Sequence, residues 1–145
     1  MVALERFPSR AQWKWPLPNV AVGVTIDDRK HGLPRLDLVR KFPARYRWAS
    51  VEPLLEDLGE VDFSGLDLVV VGGEAGDGAR PFGLQWARNV RDKARKAGAL
   101  CFVKQLGDNA VDAGVPLEMG KKGNVLERFP LDLQIRENLP LMMPT

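Results

Sequence analysis

An α/β fold built on parallel strands, as a partial (β/α) barrel or a curved open sheet, is predicted by two features of this 145-residue sequence. First, four short apolar runs, Asn19–Ile26, Tyr46–Val51, Leu66–Val71 and Ala99–Val103, read as buried strands separated by segments of crossover length. Second, their C-terminal ends carry Thr25 and Asp27-Asp28, Glu52-Pro53, Gly72-Gly73-Glu74 and Lys104-Gln105. Groups that handle ligands collect outside the carboxyl ends of parallel strands, so these ends are the candidate site.

The sequence reads as one α/β domain. Residues 1–18 form an irregular N-terminal segment, 19–106 the parallel βα core, and 107–145 a loop-rich C-terminal extension. Residues 1–18 have little periodicity and are expected to pack through Trp13 and Trp15. In the first strand Val20, Val22, Val24 and Ile26 share one face, and Ala21, Gly23, Thr25 and Asp27 the other; valines toward helices and small or polar groups toward an interior suit a barrel or sheet. Asp28–Phe42 is compatible with a helix, with Gly32 and Pro34 disturbing its start and Asp27 or Asp28 able to cap it. Trp48, Ser50 and Glu52 share a face of the second strand. The connection Leu54–Gly65 is near the minimum for a parallel crossover. Leu66–Gly73 is almost continuously apolar, as a central parallel strand should be. Pro81–Ala97 is the clearest helix, with Leu84, Ala87, Val90 and Ala94 on one face and Gly98 as its stop.

Composition removes several classes of function. A net charge of +2 does not argue for nucleic-acid binding, and Arg88, Arg91, Lys93, Arg95 and Lys96 on the Pro81–Ala97 helix read as a solvated face. Hydrophobic content is 45%, and no apolar run approaches the roughly 20 residues of a membrane span. The N-terminal stretch lacks the apolar core of a signal peptide, so a cytoplasmic protein is expected. The single cysteine, Cys101, lies in an apolar run and reads as core, and His31, the single histidine, as a surface helix residue. The pentapeptide Leu-Glu-Arg-Phe-Pro occurs at Leu4–Pro8 and again at Leu126–Pro130, without making a repeat architecture.

Gly72-Gly73-Glu74-Ala75-Gly76-Asp77-Gly78-Ala79-Arg80-Pro81 is the strongest local signal. Its glycines allow close backbone approach to a ligand, and Arg80 either serves an anion or pairs with Glu74 or Asp77. Glu52 is a ligand hook, a proton-transfer group or half of a structural ion pair with Lys104. Strand alternation lets only one of Lys104 and Gln105 point inward. Trp48 and Phe102 line either a pocket or the core. The sequence leaves open whether the chain takes part in an enzyme or is a stand-alone small-ligand binding module.

Taken together, Trp15–Asp28, Arg47–Leu55, Leu66–Pro81, Cys101–Gly107 and Gly120–Pro140 resemble an uncharacterised phage and prophage protein family of radical-SAM-like barrels. That resemblance implies a (β/α) barrel whose N-terminal half carries a cysteine cluster for an iron–sulfur centre, and this sequence resembles only the C-terminal half. By resemblance, Glu52, Gly72, Gly73, Glu74, Arg80 and Lys104 hold cofactor or substrate, with Thr25, Asp27 and Gln105 beside them as candidates from the residues themselves. No cofactor is implied for this chain alone; S-adenosylmethionine and an iron–sulfur cluster are implied only with a cysteine-bearing N-terminal half. The expected partners are that complementing half-barrel or a second copy, together with a small-molecule ligand. A half-barrel would leave unpaired edges at Asn19–Ile26 and Ala99–Leu106.

Overall fold

The computed structural model describes residues 15–140. Four strands, β1 (Ala21–Thr25), β2 (Tyr46–Val51), β3 (Leu68–Gly72) and β5 (Leu100–Gln105), form one sheet in the order β1-β2-β3-β5, and every pair is parallel. Helix α1 (Arg35–Lys41) lies between β1 and β2 in sequence, and α2 (Leu84–Lys96) between β3 and β5. Each crossover steps the same way along the sheet. Right-handed connections therefore deliver both helices to one face. The sheet is open.

On the helix face Ala49, Val51, Val69, Val71, Cys101 and Val103 are buried against Leu36 and Val39 of α1 and Leu84, Ala87, Val90 and Ala94 of α2. The irregular crossover from β2 to β3 adds Leu54, Leu58, Val61 and Phe63 to the same core. Each large apolar side chain buried in this way contributes about 1.5–3 kcal/mol. Among the described residues no helix lies on the opposite face. Its rows are set by register: Gly23, Trp48, Leu68 and Leu100 in one, Thr25, Ser50, Val70 and Phe102 in the next. Trp48 lies flat across β1, because a Cβ on Gly23 would sit 2.4 Å from its indole.

Several sequence expectations change. The helix expected over Asp28–Phe42 is shortened to Arg35–Lys41, because residues 28–34 form turns in which the Asp28 carboxylate accepts the His31 and Gly32 N–H groups. Asp28 thus caps a turn, while Pro34 stands at the helix start with no side-chain cap. His31 sits in that turn instead of on a helix. The helix expected from Pro81 begins at Leu84, since Phe82–Gly83 forms the short strand β4. β5 runs on to Gln105, which places Lys104 inside the strand.

The C-terminal extension has more structure than its composition suggests. Ala110–Asp112 (β6) pairs in parallel with β4 and antiparallel with Val115–Pro116 (β7), making a second small sheet. Residues 133–137 then run along the outer edge of β5. Val103 N–H donates to the Ile135 carbonyl (2.8 Å), Glu137 N–H to the Cys101 carbonyl (3.1 Å), and Cys101 N–H to Glu137 Oε2 (2.7 Å). The edge expected to be unpaired at Ala99–Leu106 is therefore covered by the chain itself, whereas no strand pairs with the outer edge of β1 among the described residues. Of the two tryptophans expected to anchor the N-terminal segment, Trp15 meets the Phe42 ring edge-on at 5.0 Å; Trp13 lies outside the described residues, as does the Leu4–Pro8 copy of the repeated pentapeptide.

The basic face of α2 holds the extension in place. Arg88 binds Asp112 (2.7 Å) and Asp132 (2.9 Å), Arg91 binds Asp132 (2.7 Å), and Lys93 binds Glu60. The side chains of Arg88 and Arg91 are only 21% and 13% exposed, so the expectation of a solvated face does not hold for them. Arg88→Ala should lower stability by about 1–2 kcal/mol in a urea melt. It should also accelerate hydrogen exchange at the Cys101 and Val103 amides, whose acceptors lie on the clamped segment. Unchanged exchange there would show that the clamp does not hold the segment.

Candidate functional site

The predicted residues gather at the carboxyl end of the sheet, where four strands stop at similar height. Glu52, directly after β2, continues the face of Trp48 and Ser50. Its Oε2 lies 3.0 Å from Lys104 Nζ, so the pair spans β3 between them. Two local features permit this. Gly72 has no side chain, and a Cβ there would lie 3.3 Å from the Glu52 carboxyl carbon. The pairing of β3 with β5 also shifts register between Val71 and Gly72, setting Gly72 opposite Gln105 and leaving Lys104 out of the ladder. The Glu52 side chain is 16% exposed and that of Lys104 54%, so the acid is the sheltered partner and the amine faces water.

Gln105 stands opposite Gly72 in the ladder and donates from Nε2 to the Gly73 carbonyl at 3.0 Å. The register shift breaks the alternation expected of Lys104 and Gln105, and Lys104 joins Glu52 on the helix-free face. Gly73 is needed for backbone packing: a Cβ there would stand 2.4 Å from the Leu106 carbonyl oxygen. Gly107 packs in the same manner on the Glu74 carbonyl, and Gly123 on the Gly107 carbonyl. Three backbone segments are stacked through glycines at this rim.

The glycine-rich loop is closed on itself. Arg80 donates to Glu74 through its backbone N–H (2.9 Å), Nε (2.9 Å) and Nη2 (2.8 Å), a bidentate pair with a third bond. These bonds hold the Glu74 carboxyl down at about 2, the side-chain bonds from Arg80 being the largest cause. Gly76 N–H donates to Asp108 Oδ2 at 2.6 Å, and Lys122 N–H to Asp108 Oδ1, which ties the loop to the C-terminal extension. The two backbone donors hold the Asp108 carboxyl below its usual range.

At the end of β1 the Thr25 carbonyl accepts from Arg35 Nη1 at 2.7 Å. Asp27 Oδ1 is shielded from solvent and lies 3.5 Å from the same nitrogen without hydrogen-bond geometry. Arg80 feels the charge of Asp27 as well as that of Glu74, so the β1 and β3 loops are electrostatic neighbours. Asp28 is held at about 2, first by the hydrogen bond from the His31 ring (2.9 Å). The predicted residues thus form two separate ion pairs, Glu52–Lys104 and Glu74–Arg80, with Thr25, Asp27, Gly72, Gly73 and Gln105 around them.

Sequence reasoning passed over Asp108 and Arg136. Both stand in the Gly- and Pro-rich stretch after residue 106, where no periodicity marks a position as important.

Cys101 is fully buried in the core, and burial pushes its thiol up to about 11. It therefore does not fit a cluster ligand, which must be an accessible thiolate. Among the described residues no group of three or more His, Cys, Asp or Glu side chains is placed to hold a metal ion. No helix among the described residues is long and apolar enough to cross a membrane.

The class of protein these features define is an open parallel α/β sheet with helices on one face and polar strand ends at one rim. The chain belongs to the family described as protein of unknown function (DUF5131), whose model matches residues 2–134. No curated protein and no solved structure matches it.

Gly73→Ala should cost about 1–3 kcal/mol, because the carbonyl it would strike belongs to backbone and cannot swing aside. A urea melt indistinguishable from the parent would show that the glycine stack is looser than described. The Glu74 pair makes a pH prediction. In the folded state this carboxyl stays ionised down to about 2, against 4.5 for the ordinary group. The unfolded chain therefore binds more protons in that window, and stability must rise with pH across it. The contribution is complete above 4.5 and lost as pH falls toward 2. Glu74→Gln should flatten that part of the stability profile in urea melts taken across the range.

Proposed function

We propose that this chain is the C-terminal half-barrel of a phage-type, radical-SAM-like protein, not catalytic by itself, which supplies ligand-binding strand ends to a site completed by an N-terminal half. The observation that carries this reading is the helix-free face of the sheet. Parallel sheets are covered on both faces in α/β proteins. Here one face exposes or half-exposes Gly23, Thr25, Tyr46, Trp48, Ser50, Val70 and Phe102, leading up to Glu52 and Lys104 at the rim. Such a face suits the interior of a larger barrel. The free outer edge of β1 is where further parallel strands would join.

In this reading Glu52 and Lys104 lie inside the mouth of the barrel, and a zwitterionic or anionic ligand would separate them, each charge exchanging its partner for one on the ligand. Glu74 and Arg80 fix the glycine loop that borders the mouth. Any iron–sulfur cluster and S-adenosylmethionine chemistry would be furnished by the cysteine-bearing half, since Cys101 does not fit that role.

A second reading is a stand-alone α/β module that binds a small ligand without redox chemistry. It is favoured by the self-made cover on β5, where residues 133–137 occupy the edge that barrel closure would need.

Translation of the DNA upstream in all frames, followed by co-expression of any cysteine-cluster half found there, separates the two. The half-barrel reading expects an equimolar complex, and Val70→Glu on the helix-free face should abolish it while leaving the melting temperature of this chain unchanged. Absence of such a half, or a complex indifferent to Val70→Glu, would overturn the half-barrel and leave the binding module.

A further inference from the structure

The described residues include one well-positioned cation on the helix-free face that no carboxylate neutralises. Arg136 is the residue directly across the antiparallel bridge from Phe102, and partners across a bridge project to the same side of a sheet. Its guanidinium stands 5.2 Å from the centre of the Phe102 ring. Nη2 donates to the Lys104 carbonyl (3.1 Å) and more weakly to the Asn124 carbonyl (3.4 Å). Two carbonyls and a ring thus hold the group in place. Arg136 makes no ion pair among the described residues, unlike Arg80, Arg88 and Arg91, each of which is bound to at least one carboxylate.

We propose that Arg136, backed by Phe102, is the anchor for the carboxylate of a flat organic acid lying on the helix-free face. The chemistry favours this class. Among the described residues Nε and Nη1 have no protein acceptor, and a guanidinium presents its donors in a planar fork matched to a carboxylate. Phe102 shares a row with Val70, Ser50 and Thr25, offering an apolar surface with two hydroxyls beside the fork. This assignment rests on the helix-free face being part of a ligand site, but it requires no second chain.

The test uses the 145-residue protein as it stands, with benzoate as the probe. Titration is followed at the Arg136 side-chain Nε–Hε signal and the Phe102 amide by NMR, at constant ionic strength. Benzoate should produce a saturable shift at both. Benzyl alcohol, which has the ring without the charge, should not, and inorganic phosphate should bind more weakly than benzoate. Arg136→Gln, followed at the Phe102 amide, should weaken benzoate roughly tenfold or more, as expected for loss of charge-assisted hydrogen bonds. Arg136→Lys keeps the charge but loses the fork and should fall between the two, which guards against a folding defect in the glutamine variant. A non-saturable response, equal responses to benzyl alcohol or phosphate, or undiminished binding by both Arg136 variants would overturn the proposal. Benzoate binding through Arg136 with no complementing half to be found would leave this inference standing and remove the half-barrel reading.

Discussion

Everything in this molecule follows from the handedness of its crossovers. Four parallel strands laid down in one direction, each connected in the right-handed sense, send α1, α2 and the irregular β2–β3 connection to the same side. That side becomes the core, with Val51, Val69, Val71, Cys101 and Val103 fully buried. The other side receives no helix from the described residues. A bare face and a set of polar strand ends are therefore two results of one constraint, and they lie next to each other.

The C-terminal extension answers part of the same problem. A parallel sheet with two open edges invites further pairing. Residues 133–137 close one edge through main-chain bonds to β5, and the Arg88–Asp112–Asp132 and Arg91–Asp132 ion pairs fasten them to α2. Those pairs do structural work with groups that, on a helical wheel, look like ordinary surface charge. The same fastening brings Arg136 across the edge and onto the helix-free face, so the segment that covers the sheet also furnishes a cation to its rim.

Charges at the rim fall into two kinds. Glu74 with Arg80, and Asp108 with the Gly76 and Lys122 amides, are consumed in closing loops, and the acids are held below their usual range by the bonds that consume them. Glu52, Lys104, Asp27 and Arg136 are less fully committed. Glu52 and Lys104 share one bond, and among the described residues Asp27 Oδ1 has no hydrogen bond and Arg136 no ion pair. A ligand would gain most from the second group.

The sequence by itself determined the strands, their parallel sense and the rim at which the polar residues meet. Those properties are written in local patterns: β-branched runs, the alternation of Val20 through Asp27, and the crossover lengths between them. Tertiary structure decided what local pattern does not encode. The Asp28 carboxylate captured two backbone N–H groups and shortened the first helix, a choice between turn and helix that periodicity does not resolve. The register shift at Gly72 set Lys104 toward Glu52 and Gln105 toward Gly73, which parity left open. Arg88 and Arg91 became half-buried anchors only because residues 112 and 132 return to them from far along the chain, and Arg136 became a candidate ligand group only by crossing the edge of β5. Sequence patterns record which face a residue takes within its own element; they do not record which distant element will arrive to meet it.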